Sequence, residues 1–225
     1  MRSSRKDNAL SRYIYQTLKD RILDGTYGVG EKLHEEAIAK ELKVSRTPLR
    51  AAFSALQEED LVEYIPKIGR FSKGMTHQDI DDIWEIRRSL EILAVEWAVE
   101  RIDTQRIIQL KQLLALMNHY IETDNLNKAY SLNADFHNVI YSTTGSRFLT
   151  STLEQFREYI AVASSENNLA ITGKMISQIL VEHHKILLAL VNKNADAAAK
   201  AMDFHIRQSK KRWMESSGYK KEESI

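Results

Sequence analysis

Residues 44 to 50 read Val-Ser-Arg-Thr-Pro-Leu-Arg, and the stretch has the composition of a helix start whose first turn is left open to a partner. Ser45 is an N-cap residue type, and Pro48 falls within the first turn, where a missing N–H costs nothing. Arg46 and Arg50 are four apart and share one exposed helix face, with the hydroxyls of Ser45 and Thr47 beside them. When the first turn of such a helix enters the major groove of DNA, these are the groups that reach base edges and phosphates. Ser45, Arg46, Thr47 and Arg50 are accordingly candidate DNA contacts.

Upstream, the spacing predicts a helix over Ser11 to Leu23 with Tyr13, Ile14, Leu18, Ile22 and Leu23 as its apolar stripe. Asp24-Gly25 ends it, and a Gly-rich bend to Gly30 leads to a second helix over Glu35 to Leu42, with Ala37, Ile38, Ala39 and Leu42 inward. Lys43-Val44 is the turn, and the third helix runs from Arg46 to Glu58 with Leu49, Ala52, Phe53 and Leu56 buried. Downstream, Leu61 to Ile65 and Arg70 to Ser72 flank Pro66-Lys67-Ile68-Gly69, which reads as a β-hairpin with a basic tip. By itself this is a solvated turn carrying two cations. Behind a helix-turn-helix it is a wing, where Lys67 and Arg70 meet the sugar-phosphate backbone and Gly69 permits close approach.

From about Thr76 the pattern changes to long helices, predicted over 77 to 101, 104 to 122, 126 to 143, 147 to 167, 174 to 192 and 195 to 216, with no proline in any of them. Short polar connections between them imply antiparallel neighbours. With 2 Pro and 8 Gly in 225 residues, the expected fold is mainly α: an N-terminal winged helix-turn-helix followed by an all-α antiparallel helical bundle. The expected division is a flexible tail over 1–10, a DNA-binding domain over 11–75, a helical domain over 76–216, and a second tail over 217–225.

Charge follows this division. Residues 1 to 75 hold 14 Lys+Arg against 11 Asp+Glu, and the remainder 18 against 20, so positive charge gathers on the half expected to meet phosphate. Cysteine is absent, no apolar run approaches the roughly 20 residues that cross a bilayer, and the N-terminus lacks a signal-peptide core. A cytoplasmic protein without membrane contact is expected.

Of seven histidines, His137, His183 and His205 sit in predicted bundle helices at positions that can converge. His183 and His205 stand eleven positions either side of residue 194, so an antiparallel pair brings them to the same height. Asn133 lies one helical turn before His137 and shares its face. Three imidazoles and an amide oxygen suit a divalent ion such as Zn, Ni, Co or Mn, although helical histidines also serve as plain hydrogen-bonding residues.

These segments together resemble the GntR family of bacterial transcription regulators, specifically its FadR-like subgroup with an all-helical FCD effector domain, over roughly residues 10 to 215. The resemblance rests on Ile22-Leu23-Asp24-Gly25, Gly30-Glu31-Lys32-Leu33, the stretch from Val44 to Arg50, Leu61-Val62, Arg87 to Glu91, Phe136-His137, Glu182-His183 and His205. The chain departs from the usual pattern at Ala51, Ala52 and Phe53 (Glu-Ala-Leu), at Asp60 (Gly), at Val29 (Pro) and at Asn133, where the family's metal-binding aspartate stands. An amide oxygen is neutral and holds a divalent ion more weakly than a carboxylate.

The resemblance implies a homodimeric DNA-binding regulator, a repressor by type, that grips a palindromic operator and answers to a small carboxylate effector in a metal-containing pocket. Asn133, His137, His183 and His205 are the implied ligands of that metal, and Arg87 the implied effector partner, unless it is spent on a salt bridge to Glu91 at i+4. The alternative from a different class is a helical metal-dependent enzyme with an N-terminal adaptor, which would need a general base near the histidines; Asp135 and Glu182 are near in sequence.

Overall fold

The computed structural model describes residues 2–163 and 171–216. Its elements run α1 (Arg2–Leu23), β1 (Lys32–Leu33), α2 (Glu35–Glu41), α3 (Arg46–Glu58), β2 (Val62–Ile65), β3 (Gly69–Ser72), α4 (His77–Arg101), α5 (Thr104–Glu122), α6 (Leu126–Thr143), α7 (Arg147–Ala163), α8 (Gly173–Val191) and α9 (Ala195–Ser216). Two compact units are present: one holds the elements up to Ile80 together with the end of α7 from Tyr159, the other α4 from Asp81, α5, α6, α7 to Glu158, α8 and α9. The assignment of the end of α7 to the first unit has no counterpart in the sequence pattern.

In the first unit α1 and α3 cross over a core of Ile14, Leu18, Ile22, Leu49, Phe53 and Leu56, all fully buried. α1 begins at Arg2 rather than Ser11, so residues 2–10, expected as a tail, are helical: nothing in Arg2 to Leu10 stops a helix, and Arg, Lys, Ala and Leu all favour one. The expected tail over 217–225 and the end of the helix expected to reach 167 lie outside the described residues. Tyr13, expected in the stripe, is 60% exposed, and Ala37 of α2 is exposed as well; the shorter apolar face of each helix is enough to cover the core. β1 was not legible, because two residues show no alternation. It pairs with β3, which is central in a sheet of order β1-β3-β2. β2 and β3 pair antiparallel from Val62↔Ser72 to Ile65↔Gly69, with Lys67 at φ +66° and Gly69 at φ +131° in the connecting turn.

Few glycines are available to end helices, and α2, α3, α5 and α8 end without one. Each carries a non-glycine residue in the left-handed region just past its C-cap: Lys43, Asp60, Asp124 and Lys193, at φ 54°, 61°, 54° and 52°. After α2, Val44 N–H donates to Ala39 O at 3.0 Å and Lys43 N–H to Lys40 O at 3.3 Å; the same pair of bonds follows each of the other three helices. This is the Schellman arrangement, which satisfies two otherwise orphaned carbonyls and offsets the strain of the left-handed residue. Asp60, where a glycine is usual, thus keeps the glycine's backbone.

In the second unit Ala94, Ala98, Leu110, Phe136, Ile140, Ile176, Ile186, Leu190, Ala198 and Met202 are fully buried. α4 is tied to α9 by Arg88 to Asp203 at 2.5 Å, by Lys210 to Asp81 at 2.8 Å, and by the tilted rings of Trp84 and Trp213, 6.2 Å apart. Asn194 accepts from Ala197 N–H at 2.9 Å at the start of α9, so the α8–α9 turn is short and the helices double back. No helix among the described residues is long and apolar enough to cross a membrane.

Candidate functional site

The first unit exposes Ser45, Arg46, Thr47 and Arg50 at the start of α3. Ser45 occupies the N-cap with extended backbone (φ −79°, ψ 164°), but its hydroxyl makes no capping bond. The helix starts instead on backbone geometry and on Pro48, leaving the hydroxyl unspent by the cap. Carboxylates of α2 meet each arginine: Arg46 Nη2 donates to Glu36 at 2.6 Å, and Arg50 Nε donates to Glu35 Oε2 at 3.2 Å. Lys67 is exposed in the hairpin turn, whereas Arg70 is turned inward. Its side chain is 15% exposed and donates to Glu35 Oε1, with its guanidinium carbon 5.2 Å from the Phe53 ring centre and 4.9 Å from that of Tyr64. Gly69 serves the turn through its positive φ, and a Cβ there would meet the stem of Lys32 at 3.2 Å.

In the second unit the structure brings His137 of α6, His183 of α8 and His205 of α9 together, all buried, with ligand atoms within 4.8 Å of one another. His137 Nδ1 lies 3.1 Å from Glu91 Oε2, and His205 Nδ1 lies 2.7 Å from Glu182 Oε2. A carboxylate can only accept, so each imidazole carries its proton on Nδ1 and turns a lone pair out on Nε2. Those two Nε2 atoms are 3.0 Å apart. Lone pairs facing each other at that distance repel unless a proton or a cation lies between them. His183 stacks on Phe136 at 4.0 Å and 8°, and neither of its ring nitrogens has a hydrogen-bond partner; nor does the buried Oδ1 of Asn133.

Burial keeps His183 and His205 neutral. Burial, reinforced by His205 and His137, drives His183 well below the usual histidine range. Burial likewise lowers His205 to about 4, against the opposing effect of the hydrogen bond it donates to Glu182. Burial disfavours the charge of Glu91, yet His137, Arg87 and the Tyr141 hydroxyl outweigh it and hold that carboxyl at about 2. Glu182 is also held low, its burial overcome by Arg212 and His205.

Arg87 is buried and donates through Nε and Nη2 to Glu91 Oε1, both at 3.2 Å. The i+4 salt bridge is therefore formed, and the guanidinium reaches the centre only through Glu91. Sequence reasoning missed the parts played by Glu91, Glu182, Tyr141 and Arg212. Glu91 stood out only as a partner for Arg87. Glu182 precedes His183, and neighbours in a helix diverge, so nothing local shows that Glu182 reaches the His205 ring while Arg212 clamps it from α9 at 2.8 and 2.7 Å.

Two family patterns match this chain: one for bacterial regulatory proteins of the gntR family over residues 10–71, the other for the FCD domain over residues 82–208. The chain belongs to the gntR family and carries an FCD domain. It is 31% identical over 191 residues to YdhC of Bacillus subtilis, described as an uncharacterized HTH-type transcriptional regulator, covering 82% of each chain. It is 32% identical over 225 residues to the Uxu operon regulator of Haemophilus influenzae, covering 91% of this chain and 82% of that one. Its fold is similar to that of E. coli McbR/YncC, with a TM-score of 0.66, 22% identity and coverage of 92% and 97%. Members of the family are transcriptional regulators that bind DNA operators and small-molecule effectors, not enzymes. Of the carboxylates the enzyme alternative would draw on, Asp135 is exposed, and Glu182, like Glu91, is committed to an imidazole N–H group and an arginine.

Proposed function

We propose that the chain is a homodimeric repressor whose grip on a palindromic operator is set by a small carboxylate bound over a divalent metal in the FCD domain. The observation that carries this reading is the lone-pair arrangement of the three buried imidazoles. Two nitrogens each about 2.1 Å from one ion stand about 3.0 Å apart at the right angle of an octahedral site and about 3.4 Å apart in a tetrahedral one, and the Nε2 atoms of His137 and His205 are 3.0 Å apart. The unpartnered nitrogens of His183 and Oδ1 of Asn133 supply further donors, so the residues fit a Zn, Ni or Mn ion. A bound ion would supply a concentrated positive charge to an anionic ligand.

The chain's own residues explain why that ligand should be an anion. Arg87 offsets Glu91 and Arg212 offsets Glu182, while the direct donors are neutral imidazoles and an amide. A divalent ion thus brings its charge into the cavity uncompensated, and a carboxylate balances it. In the other unit, Ser45, Arg46, Thr47, Arg50 and Lys67 contact the operator. Effector and operator affinities are then linked, because the ligand favours one arrangement of the dimer over another.

The test combines metal analysis with operator binding. Protein purified without chelator is loaded with Zn, Ni or Mn, and the operator is recovered by genome-wide mapping of bound DNA. One equivalent of metal, lost in His183→Ala, and a small carboxylate that shifts operator affinity only in the loaded protein are expected. Trace metal after loading refutes the metal reading. A mass corresponding to one chain on the operator refutes the dimer.

A further inference from the structure

We infer that Glu35 is a positioning residue for DNA reading, which aims Arg50 at the base edges while Arg70 acts as its counter-charge and not as a DNA contact. The inference rests on Arg50 being a reader. One carboxylate takes two guanidiniums, one on each oxygen: Oε2 accepts from Arg50 Nε at 3.2 Å and Oε1 accepts from Arg70 Nη1.

The atom used on Arg50 decides what the bond is for. A guanidinium recognises guanine O6 and N7, or a phosphate, through paired N–H groups. Glu35 engages Arg50 by Nε, on the stem side, so the Nη1–Nη2 edge stays available, and the side chain is 61% exposed. The pair Arg46–Glu36 contrasts with it: Arg46 is held by a terminal nitrogen, Nη2, with side chains 62% and 82% exposed, a loose surface pair of the kind that holds nothing in place.

Arg70 explains how a carboxylate can sit behind a DNA-reading arginine without cancelling it. Two guanidiniums and one carboxylate leave the cluster with one net positive charge at α3. Arg70 is half-enclosed by Phe53 and Tyr64, and its Nε is buried without a partner; it braces Glu35 from β3, and so the wing strand, α2 and α3 are locked at one carboxylate. A negative charge beside the groove also repels phosphate wherever Arg50 finds no matching base, which suppresses non-specific binding.

The test measures affinity for two duplexes of equal length: one selected from a random pool by the wild-type protein, the other of random sequence. Glu35→Ala should weaken the selected duplex about tenfold and leave the random duplex unchanged or tightened, so the ratio of the two falls at least about tenfold. Glu35→Gln, which keeps the shape and loses the charge, should lie between, and serves where alanine unfolds the head. Added to Arg50→Ala, Glu35→Ala should cost the selected duplex nothing more. Arg70→Met should leave the slope of log affinity against log salt unchanged, whereas loss of a phosphate contact would lower it by about 0.9. If both Glu35 variants keep the selected-to-random ratio, Glu35 merely masks charge and the inference fails while Arg50 remains a reader. If Arg50→Ala keeps that ratio, the reading of Arg50 fails and takes this inference with it.

Discussion

Replacing Glu182 by glutamine tests whether the buried carboxylates prepare the imidazoles to bind an ion. Glu182 Oε2 accepts the His205 Nδ1 proton at 2.7 Å, and its two oxygens also receive Arg212 at 2.8 and 2.7 Å. Glutamine has the same shape but one acceptor and one donor. Arg212 offers only donors, so the amide oxygen turns to it and the NH2 turns to His205. His205 must then accept at Nδ1, and its proton moves to Nε2, the atom that stands 3.0 Å from His137 Nε2. One donor to the ion is lost, and so is one of the negative charges around it. Changes of this kind next to metal-binding histidines lower affinity about 10- to 100-fold, which is about 1.4 to 2.7 kcal/mol. Competition with a chromogenic chelator for Zn and for Ni measures it, with Glu85→Gln as the control, an exposed carboxylate paired to Arg88. Glu182→Gln protein that melts with the wild type and binds within about twofold of it refutes the reasoning about the tautomer.

Three further outcomes follow from named residues. Asn133→Asp places a carboxylate where a buried amide oxygen has no partner, and metal affinity should rise about tenfold or more in the same competition; no rise would remove this position from the ligand set. Lys43→Gly relieves a left-handed residue at φ 54° and should stabilise the first unit by about 0.5 to 1 kcal/mol in urea unfolding, the strain released less the entropy that glycine loses. Glu59 is held below its ordinary range, its burial outweighed by Tyr15 and by Lys19 at 3.0 Å. Since its folded pKa is depressed, its stabilisation is complete above about pH 5 and fades as the pH falls past about 4 toward the folded value. The stability gap between wild type and Glu59→Gln should therefore narrow in that acid range, and a constant gap would show that the ion pair contributes nothing pH-dependent.

Much of the fold was legible because the signals are local. The helix over Arg46 to Glu58, its buried Leu49, Ala52, Phe53 and Leu56, and the bundle helices 77–101, 104–122 and 126–143 all follow from 3.6-residue periodicity and from the absence of proline. The meeting of His183 and His205, ring centres 4.8 Å apart, follows from counting outward from a short turn. What the sequence did not show is non-local: β1, too short to alternate; the side chain of Arg70, which stands on the wing strand as expected but is held inward by Phe53, Tyr64 and Glu35; and Tyr13, left outside by the width of its helix face.

Chain order and periodicity by themselves determined which residues are helical, that a winged head precedes a bundle, and which three histidines share a height. These are properties of spacing, and spacing is carried along the chain. Tertiary structure alone decided what each charged group is for. Glu35 and Glu182 look like ordinary surface acids in sequence, and only the folded contacts show one holding two arginines and the other setting the proton on His205. A hydrogen bond between residues 15 or 23 positions apart depends on where two helices come to lie, and no local pattern records that.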